Sequence, residues 1–241
     1  MSDNYKYKIS VITATYNVES CILNLIESLR NQQDKDFEWV VVDGTSTDKT
    51  LEILKTIDDL NLKIISEPDF GIYDALNKGI KVCSGEYYLV AGADDIFFEN
   101  AIRDYKKNIK NTIDMITAKV VKGNEIAQAG KGKSWQFGQA AFISNHAIGV
   151  LINKTLHSKY GWYSRKYPIA ADQFFIQSCA LGQAKILRIE EVVGEFTLNG
   201  LSSCDHIGAV TELFRIQVGL GYNKWLQFFI LFFRLFRLFR K

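Results

Sequence analysis

Over the first hundred residues the chain alternates between short apolar runs and longer stretches in which apolar side chains return every three to four positions. The runs are residues 9–14 (ISVITA), 37–42 (FEWVVV), 62–65 and 85–91 (GEYYLVA). Continuous apolar runs of this length, bounded by turn residues, mark strands buried on both faces, as in a parallel sheet. Between them the spacing predicts helices over about 18–33 (Ile22, Leu25, Ile26, Leu29), 51–57 and 72–82. This alternation predicts an α/β, Rossmann-like fold with a mostly parallel central sheet flanked by helices. Right-handed crossovers bring the loops after the strands to one edge, where ligands of open α/β sheets bind. Thr15, Asp43, Asp94 and Asp95 therefore belong to one crevice.

Beyond residue 96 the pattern loosens. Helices are expected over about 97–109, 153–160, 170–181 and 207–221, and strands over 114–121, 147–152 and one or two within 184–198. Residues 122–134, polar and glycine-bearing, read as a mobile loop or a hairpin. Residues 225–241 (WLQFFILFFRLFRLFRK) read as an amphipathic C-terminal helix. Lys224, Gln227, Arg234, Arg237 and Lys241 gather on one side, and Trp225, Phe228, Phe229, Phe232, Phe236 and Phe239 on the other. An aromatic face beside a basic one suits a helix lying in a membrane interface next to anionic lipids. A partner helix or a second copy of the chain is the alternative.

Composition narrows the class. A length of 241 residues suits one domain with a small appendage, and 47% hydrophobic residues supply a core. Two prolines argue against long linkers, and a net charge of +2 offers no global field for nucleic acid. Cys21, Cys83, Cys179 and Cys204 are widely spaced and read as buried, reduced thiols of a cytosolic protein. The start, MSDNYKYK, has no apolar signal segment, and no stretch reaches the roughly 20 apolar residues that span a bilayer. The expected place is the cytoplasm. No Walker loop or Gly-x-Gly-x-x-Gly is present, which argues against an ATPase or a dehydrogenase.

Asp94 and Asp95 carry the most pointed chemistry. Adjacent carboxylates at a sheet rim repel each other and lose hydration unless a cation neutralises them. Oxygen ligands suit Mg2+ or Mn2+, which bind through one or two carboxylates plus substrate phosphates. The plainer reading is a pair of solvated loop acids, or Asp95 as a helix cap.

SVITATYN, VVVDGTSTDKT, EPDFGIYDALNKGI and GEYYLVAGADD, in that order and spacing, resemble glycosyltransferase family 2. The likeness is strong over about 9–100 and weaker over 140–205, and the GIYDALNKG form is similar to cytoplasmic enzymes that build bacterial surface polysaccharides. It implies a GT-A fold, inverting transfer of a hexosyl or N-acetylhexosaminyl group, a divalent Mn2+ or Mg2+ ion and a nucleotide-diphosphate sugar donor, with uridine the expected base. The implied acceptor is a saccharide or a lipid-linked saccharide, and the implied location is peripheral on the inner face of the cell membrane. It divides residues 1–222 into a nucleotide-sugar half (1–100) and an acceptor half (101–222), with 223–241 as the tail.

By resemblance, Thr15, Tyr16 and Asn17 form the loop where the base packs, and Asp43 accepts a hydrogen bond from base or ribose. Asp74 answers a sugar hydroxyl, Lys78 a phosphate, Asp94 the ribose or diphosphate, and Asp95 the metal. Asp172, in YPIAADQFFIQ, matches the acidic general base. Plainer readings stand beside these: a strand-to-helix turn for residues 15–17, a helix-initiating acid for Asp43, an ion pair for Asp74 and Lys78, a helix cap for Asp172. A helix N-terminus lowers a carboxyl pKa, so a base at Asp172 requires a compensating apolar pocket. His146 is a substrate-binding candidate and His206 falls where some GT-A enzymes supply a metal-binding histidine. His157 reads as a plain surface residue, and Trp135 and Trp162 as acceptor platforms or packing residues. A nucleotidyltransferase shares the strand-then-acids layout, but residues 11–17 lack its glycine-rich phosphate loop. A non-catalytic nucleotide-sugar-binding subunit is the non-enzymatic alternative.

Overall fold

The computed structural model describes residues 7–130, 132–144, 146–196 and 205–240. Its first half contains β1 (Tyr7–Thr15), α1 (Ile22–Arg30), β2 (Glu38–Asp43), α2 (Thr50–Lys55), β3 (Leu62–Ser66), α3 (Ile72–Val82) and β4 (Gly85–Val90). β3, β2, β1 and β4 lie side by side in that order, all parallel. Strand register sets Thr15 beside Asp43 and Asp43 beside Ser66, so the polar strand ends meet at one rim.

Alternation along the strands sorts the core into two layers. Val11, Trp39, Val41, Tyr87 and Leu89 face one side, against Ile22, Leu25, Ile26 and Leu29 of α1. Ile12, Val40, Val42 and Tyr88 face the other, against Ala75, Leu76 and Ile80 of α3. That two-sided burial is why the strands read as continuous apolar runs.

The second half contains β5 (Ile96–Phe97), α4 (Ala101–Asn108), β6 (Met115–Lys122), β7 (Glu125–Ala127), α5 (Ser134–Phe137), β8 (Val150–Asn153), α6 (Leu156–Tyr160), α7 (Ala171–Leu181) and β9 (Ile186–Glu195). β8 pairs antiparallel with β4 and carries the sheet on through β6, β9 and β5, with β7 beside β6. Residues 122–134 begin as the expected hairpin, β6 turning into β7 at Gly123. The helix expected from about 97 begins at Ala101, because Ile96 and Phe97 pair with Glu195 and Gly194 of β9.

α8 (His206–Gly219) and α9 (Lys224–Phe239) close the chain. The helical tail is present, but its polar side divides. Gln227 is buried and donates to the Trp135 carbonyl at 2.7 Å, and Arg234 donates to the Gln136 carbonyl. Gln217 of α8 donates to the Ser134 carbonyl at 2.8 Å. Two of the side chains expected on a lipid-facing basic side are thus turned inward onto α5. The aromatic face points outward, with Trp225, Phe229 and Phe232 each about two-thirds exposed. Among the described residues no helix is long and apolar enough to cross a membrane.

Candidate active site

The loops after β1, β2 and β3 converge at the rim. Asn17 sits at a φ of 52°, a left-handed turn that asparagine tolerates. Its Oδ1 accepts from the Thr47 and Asp48 amides at 2.8 and 3.3 Å, lacing the first loop to the second. Tyr16 stands 63% exposed above them. A Cβ at Gly44 would lie 2.7 Å from Asp69 Oδ2 and 3.6 Å from the Tyr16 ring, so the three loops nearly touch there.

Asp43 is fully buried and saturated. Its Oδ1 accepts from Thr15 Oγ1 and Ser46 Oγ, its Oδ2 from the Ser46 amide and Ser66 Oγ. In this arrangement Asp43 shapes the crevice by fixing Thr15 and Ser46. Asp74 and Lys78 are likewise engaged. Asp74 takes Arg165 Nη2 at 2.6 Å and the Phe70 amide at 3.2 Å. Burial pushes the Asp74 carboxyl up, but these donors hold it below its ordinary value. Lys78 reaches Glu67 at 2.9 Å, the Pro68 carbonyl at 2.7 Å and Asp74 at 3.7 Å.

Asp94 and Asp95 turn back over Gly92. A Cβ there would lie 3.0 Å from Asp94 Oδ1 and 3.1 Å from Asp95 Oδ2, so any larger residue would crowd both carboxylates. Asp95 is 2% exposed and its Oδ2 accepts from the Gly92 amide at 2.7 Å. Burial, with the Asp94 charge adding to it, pushes the Asp95 carboxyl up to about 7. A buried acid of that kind beside a second acid fits a divalent cation, which displaces the proton as it binds. Among the described residues no group of three or more His, Cys, Asp or Glu is placed to hold a metal. An ion here would take its remaining ligands from water and substrate phosphate.

Asp172 lies in the first turn of α7, where the Gln173 amide reaches its carboxylate. Glu212 of α8 takes the Ile169 and Ala170 amides, just ahead of the helix, at 3.0 and 2.9 Å. The Tyr73 hydroxyl lies 2.7 Å from Asp172 Oδ1, and Gln139 Nε2 lies 3.3 Å from its Oδ2. It closes a cavity of about 110 Å3 lined by Ile72, Leu76, Val90, Ile143, Val150, Ile152 and Ile176, with Tyr73, Tyr163, His146 and Ala147. Burial raises the Asp172 carboxyl above its ordinary value, outweighing Tyr73, the Gln173 amide and Gln139, which lower it. The apolar pocket that a base at this position needs is present.

His146 joins the two acidic stations. It lines the same cavity, its Nε2 is 3.8 Å from Asp95 Oδ1, and its ring stacks on Phe196 at 3.6 Å. Burial drops its pKa to about 3, so the imidazole is neutral. His206 is exposed at the start of α8. His157 is the correction: it is 3% exposed, stacked between Trp162 and Phe175, with Nε2 2.7 Å from the Tyr88 hydroxyl. Trp162 therefore packs on a core histidine, under Lys81. Cys83 and Cys179 are buried free thiols, Cys21 is half-buried, and Cys204 lies outside the described residues. Sequence reasoning passed over Tyr73, Gln139, Arg165 and Glu212. Tyr73 lies inside the GIYDALNKG segment, whereas no local pattern marks the other three.

A parallel half-sheet that feeds polar loops to one rim, continued by a mixed half that carries a half-buried acid, is the GT-A arrangement. The chain belongs to glycosyl transferase family 2, whose family model matches residues 10–167, and is a glycosyltransferase. It is 30% identical over 192 residues to a PGL/p-HBAD biosynthesis glycosyltransferase of Mycobacterium tuberculosis, covering 76% of this chain and 74% of that one. The crystal structure of S. aureus TarS 1–349 in complex with UDP matches with a TM-score of 0.68 at 25% identity, over 97% of this chain and 72% of that one. The mannosyltransferase PcManGT from Pyrobaculum calidifontis, in complex with GDP-Man and Mn2+, has a TM-score of 0.69 at 20% identity. That match covers 89% of this chain and 64% of the other, and shows the shared fold.

Proposed function

We propose that this enzyme moves a sugar, with inversion, from a nucleotide-diphosphate sugar to a saccharide or lipid-linked saccharide in cell-envelope polysaccharide assembly. The observation that carries the reading is Asp172 on an apolar cavity whose wall also holds His146, 3.8 Å from Asp95, which lies with Asp94 over Gly92. Residues 15–17, Asp43, Asp74 and Lys78 border the donor crevice, Tyr16 offering the exposed ring for a base. Uridine is favoured by the TarS complex with UDP. Mn2+ or Mg2+ held by Asp95 with Asp94 and the diphosphate would act as a Lewis acid toward the leaving group.

Asp172 is the general base. The acceptor oxygen bonds to the anomeric carbon as the carbon–oxygen bond to the diphosphate breaks, and the acceptor proton passes to the Asp172 carboxylate. Its raised pKa gives it more affinity for that proton than an exposed aspartate has. Asp172→Asn should retain Mn2+-dependent donor binding by calorimetry and lose transfer by about 10²–10⁴-fold. Undiminished transfer by the variant would remove Asp172 from the mechanism. Absence of nucleotide-sugar binding by the unaltered protein would remove the donor reading itself.

The aromatic face of α9 is read as a membrane-interface contact. Trp225, Phe229, Phe232 and Phe236 point outward, flanked by Lys224, Arg237 and Arg240. Side chains of this kind favour the headgroup boundary of an anionic bilayer. Such a contact would hold the crevice close to an acceptor confined to that surface.

A further inference from the structure

A second cavity, of about 500 Å3, lies beside the tail and is lined by neither Asp94, Asp95 nor Asp172. The β6–β7 hairpin supplies Lys122, Glu125 and Ile126, α9 supplies Arg234, and Phe137 and Phe196 add aromatic wall. At about 30 Å3 per water-sized group it has room for about sixteen of them.

Charge is what marks this cavity. Arg234 is half-buried, and burial lowers its pKa from the ordinary arginine value, yet a guanidinium stays protonated in proteins. Its hydrogen-bond partner among the described residues is the uncharged Gln136 carbonyl. Lys122 lines the same space, with its ammonium 5.8 Å from the centre of the Phe196 ring. A third cation backs the wall: a Cβ at Gly130 would stand 2.9 Å from Arg188 Nη1, and Arg188 donates to the Ala141 carbonyl. None of the three is in an ion pair among the described residues. Glu125 is the acid on the lining, and it is exposed on the hairpin. Positive charge drawn out of water is costly unless it is paired. An anionic ligand would supply the pairing.

The lining narrows which anion. A guanidinium takes phosphate oxygens through paired N–H donors, and an ammonium nearby adds a point charge. Ile126, Phe137 and Phe196 beside them suit carbon rather than more charge. A phosphate joined to an organic group matches both parts of the wall, whereas inorganic phosphate matches only one.

We propose that this cavity binds a phosphate ester, held by Arg234 and Lys122, at a site separate from the donor crevice. Two sources share that chemistry: the phosphate linkage of a lipid-linked acceptor and the headgroup of a membrane phospholipid. Either reaches the cavity along α9, whose other side exposes Phe229 and Phe232. On the inner side a bound ester would touch Phe196, the ring on which His146 stacks at 3.6 Å.

The full-length protein is titrated calorimetrically in EDTA, so that no metal bridges phosphate to Asp95. The probes are geranyl diphosphate and monomeric dihexanoyl phosphatidylglycerol, with dihexanoyl phosphatidylcholine as the zwitterionic control. At least one anionic probe should bind, about tenfold or more tighter than the control. Arg234→Gln and Lys122→Gln should each weaken that probe about tenfold, the loss expected for one hydrogen bond to a charged group. Both variants should bind UDP with Mn2+ as the unaltered protein does. Tighter geranyl diphosphate assigns the site to the acceptor linkage, and tighter phosphatidylglycerol assigns it to the bilayer. Binding of neither anionic probe, equal binding of the control, or an affinity that either folded variant leaves unchanged overturns the site. Because Arg234 also ties the tail to the body, Lys122→Gln on the exposed hairpin gives a readout free of that tie, and Arg234→Lys should recover part of the affinity. A protein that takes a probe but no UDP keeps this site and loses the donor reading.

Discussion

At Asp172 two influences pull in opposite directions. The helix N-terminus, Tyr73 and Gln139 favour the carboxylate anion, while the aliphatic wall around it disfavours charge and prevails. A base acts when ionised, so transfer should rise with pH through an acid limb lying above the ordinary aspartate range. Tyr73→Phe removes a donor that stabilises the anion, so the limb should move to higher pH. The loss of a hydrogen bond to a charged group, about 1.5–3 kcal/mol, corresponds to about one to two pH units. The kcat–pH profile measures this, and an unmoved limb would show that Tyr73 does not tune Asp172. The acid itself was legible in YPIAADQFFIQ, but the direction of its shift was not. That direction depends on Val90, Ile143 and Ile152, residues far away in sequence. The histidines make the same point. His146 and His157 each sit in mixed local sequence, and only burial by distant aromatics separates a cavity-wall histidine from a core one.

Among the elements, α3 is the hinge between fold and site. Its glycines have different reasons. Gly71 holds a φ of 103° at the helix start, and Gly79 lets the helix settle onto the sheet. A Cβ at Gly79 would stand 2.6 Å from Ile12 Cγ2 and 3.2 Å from Val42 Cγ2. Gly79→Ala should cost about 1–3 kcal/mol of stability through overpacking, read by denaturant unfolding. An unchanged midpoint would mean the helix can rise off β1 without loss. The pattern of α3 was plain in the sequence because Ala75, Leu76 and Ile80 repeat at helical spacing. β5 was not: a two-residue strand has no period, and it exists because β9 offers Gly194 and Glu195 for pairing.

For the whole molecule, the sheet joins two halves with different logic. The parallel half follows strand–helix alternation, whereas β8, β6 and β9 are placed by antiparallel and long-range pairing that no local period encodes. That join brings Asp172 and His146 onto one cavity, with His146 3.8 Å from Asp95. The tail is tied to the same body, since Gln217, Gln227 and Arg234 hold three successive carbonyls just before Gln139. Phe229→Ala, Phe232→Ala and Phe236→Ala combined leave those ties in place and strip the outward face. Cosedimentation with vesicles rich in anionic phospholipid should fall at least about tenfold, given the apolar area removed. Unchanged cosedimentation would reject the membrane contact. A parent dimer that becomes monomeric in the variant would assign the face to a second copy instead.

The sequence by itself determined the strand–helix order of the first hundred residues, the rim on which Thr15, Asp43, Asp94 and Asp95 meet, and the aromatic character of the tail. Each depends on local period or on chain connectivity, which sequence carries directly. Tertiary structure decided that Asp43 is saturated from within, that Glu212 holds the chain just ahead of Asp172, and that the tail's Gln227 and Arg234 face the protein. It also built the aliphatic cavity beside Asp172 and His146, because desolvation and the satisfaction of buried polar atoms belong to the assembled core.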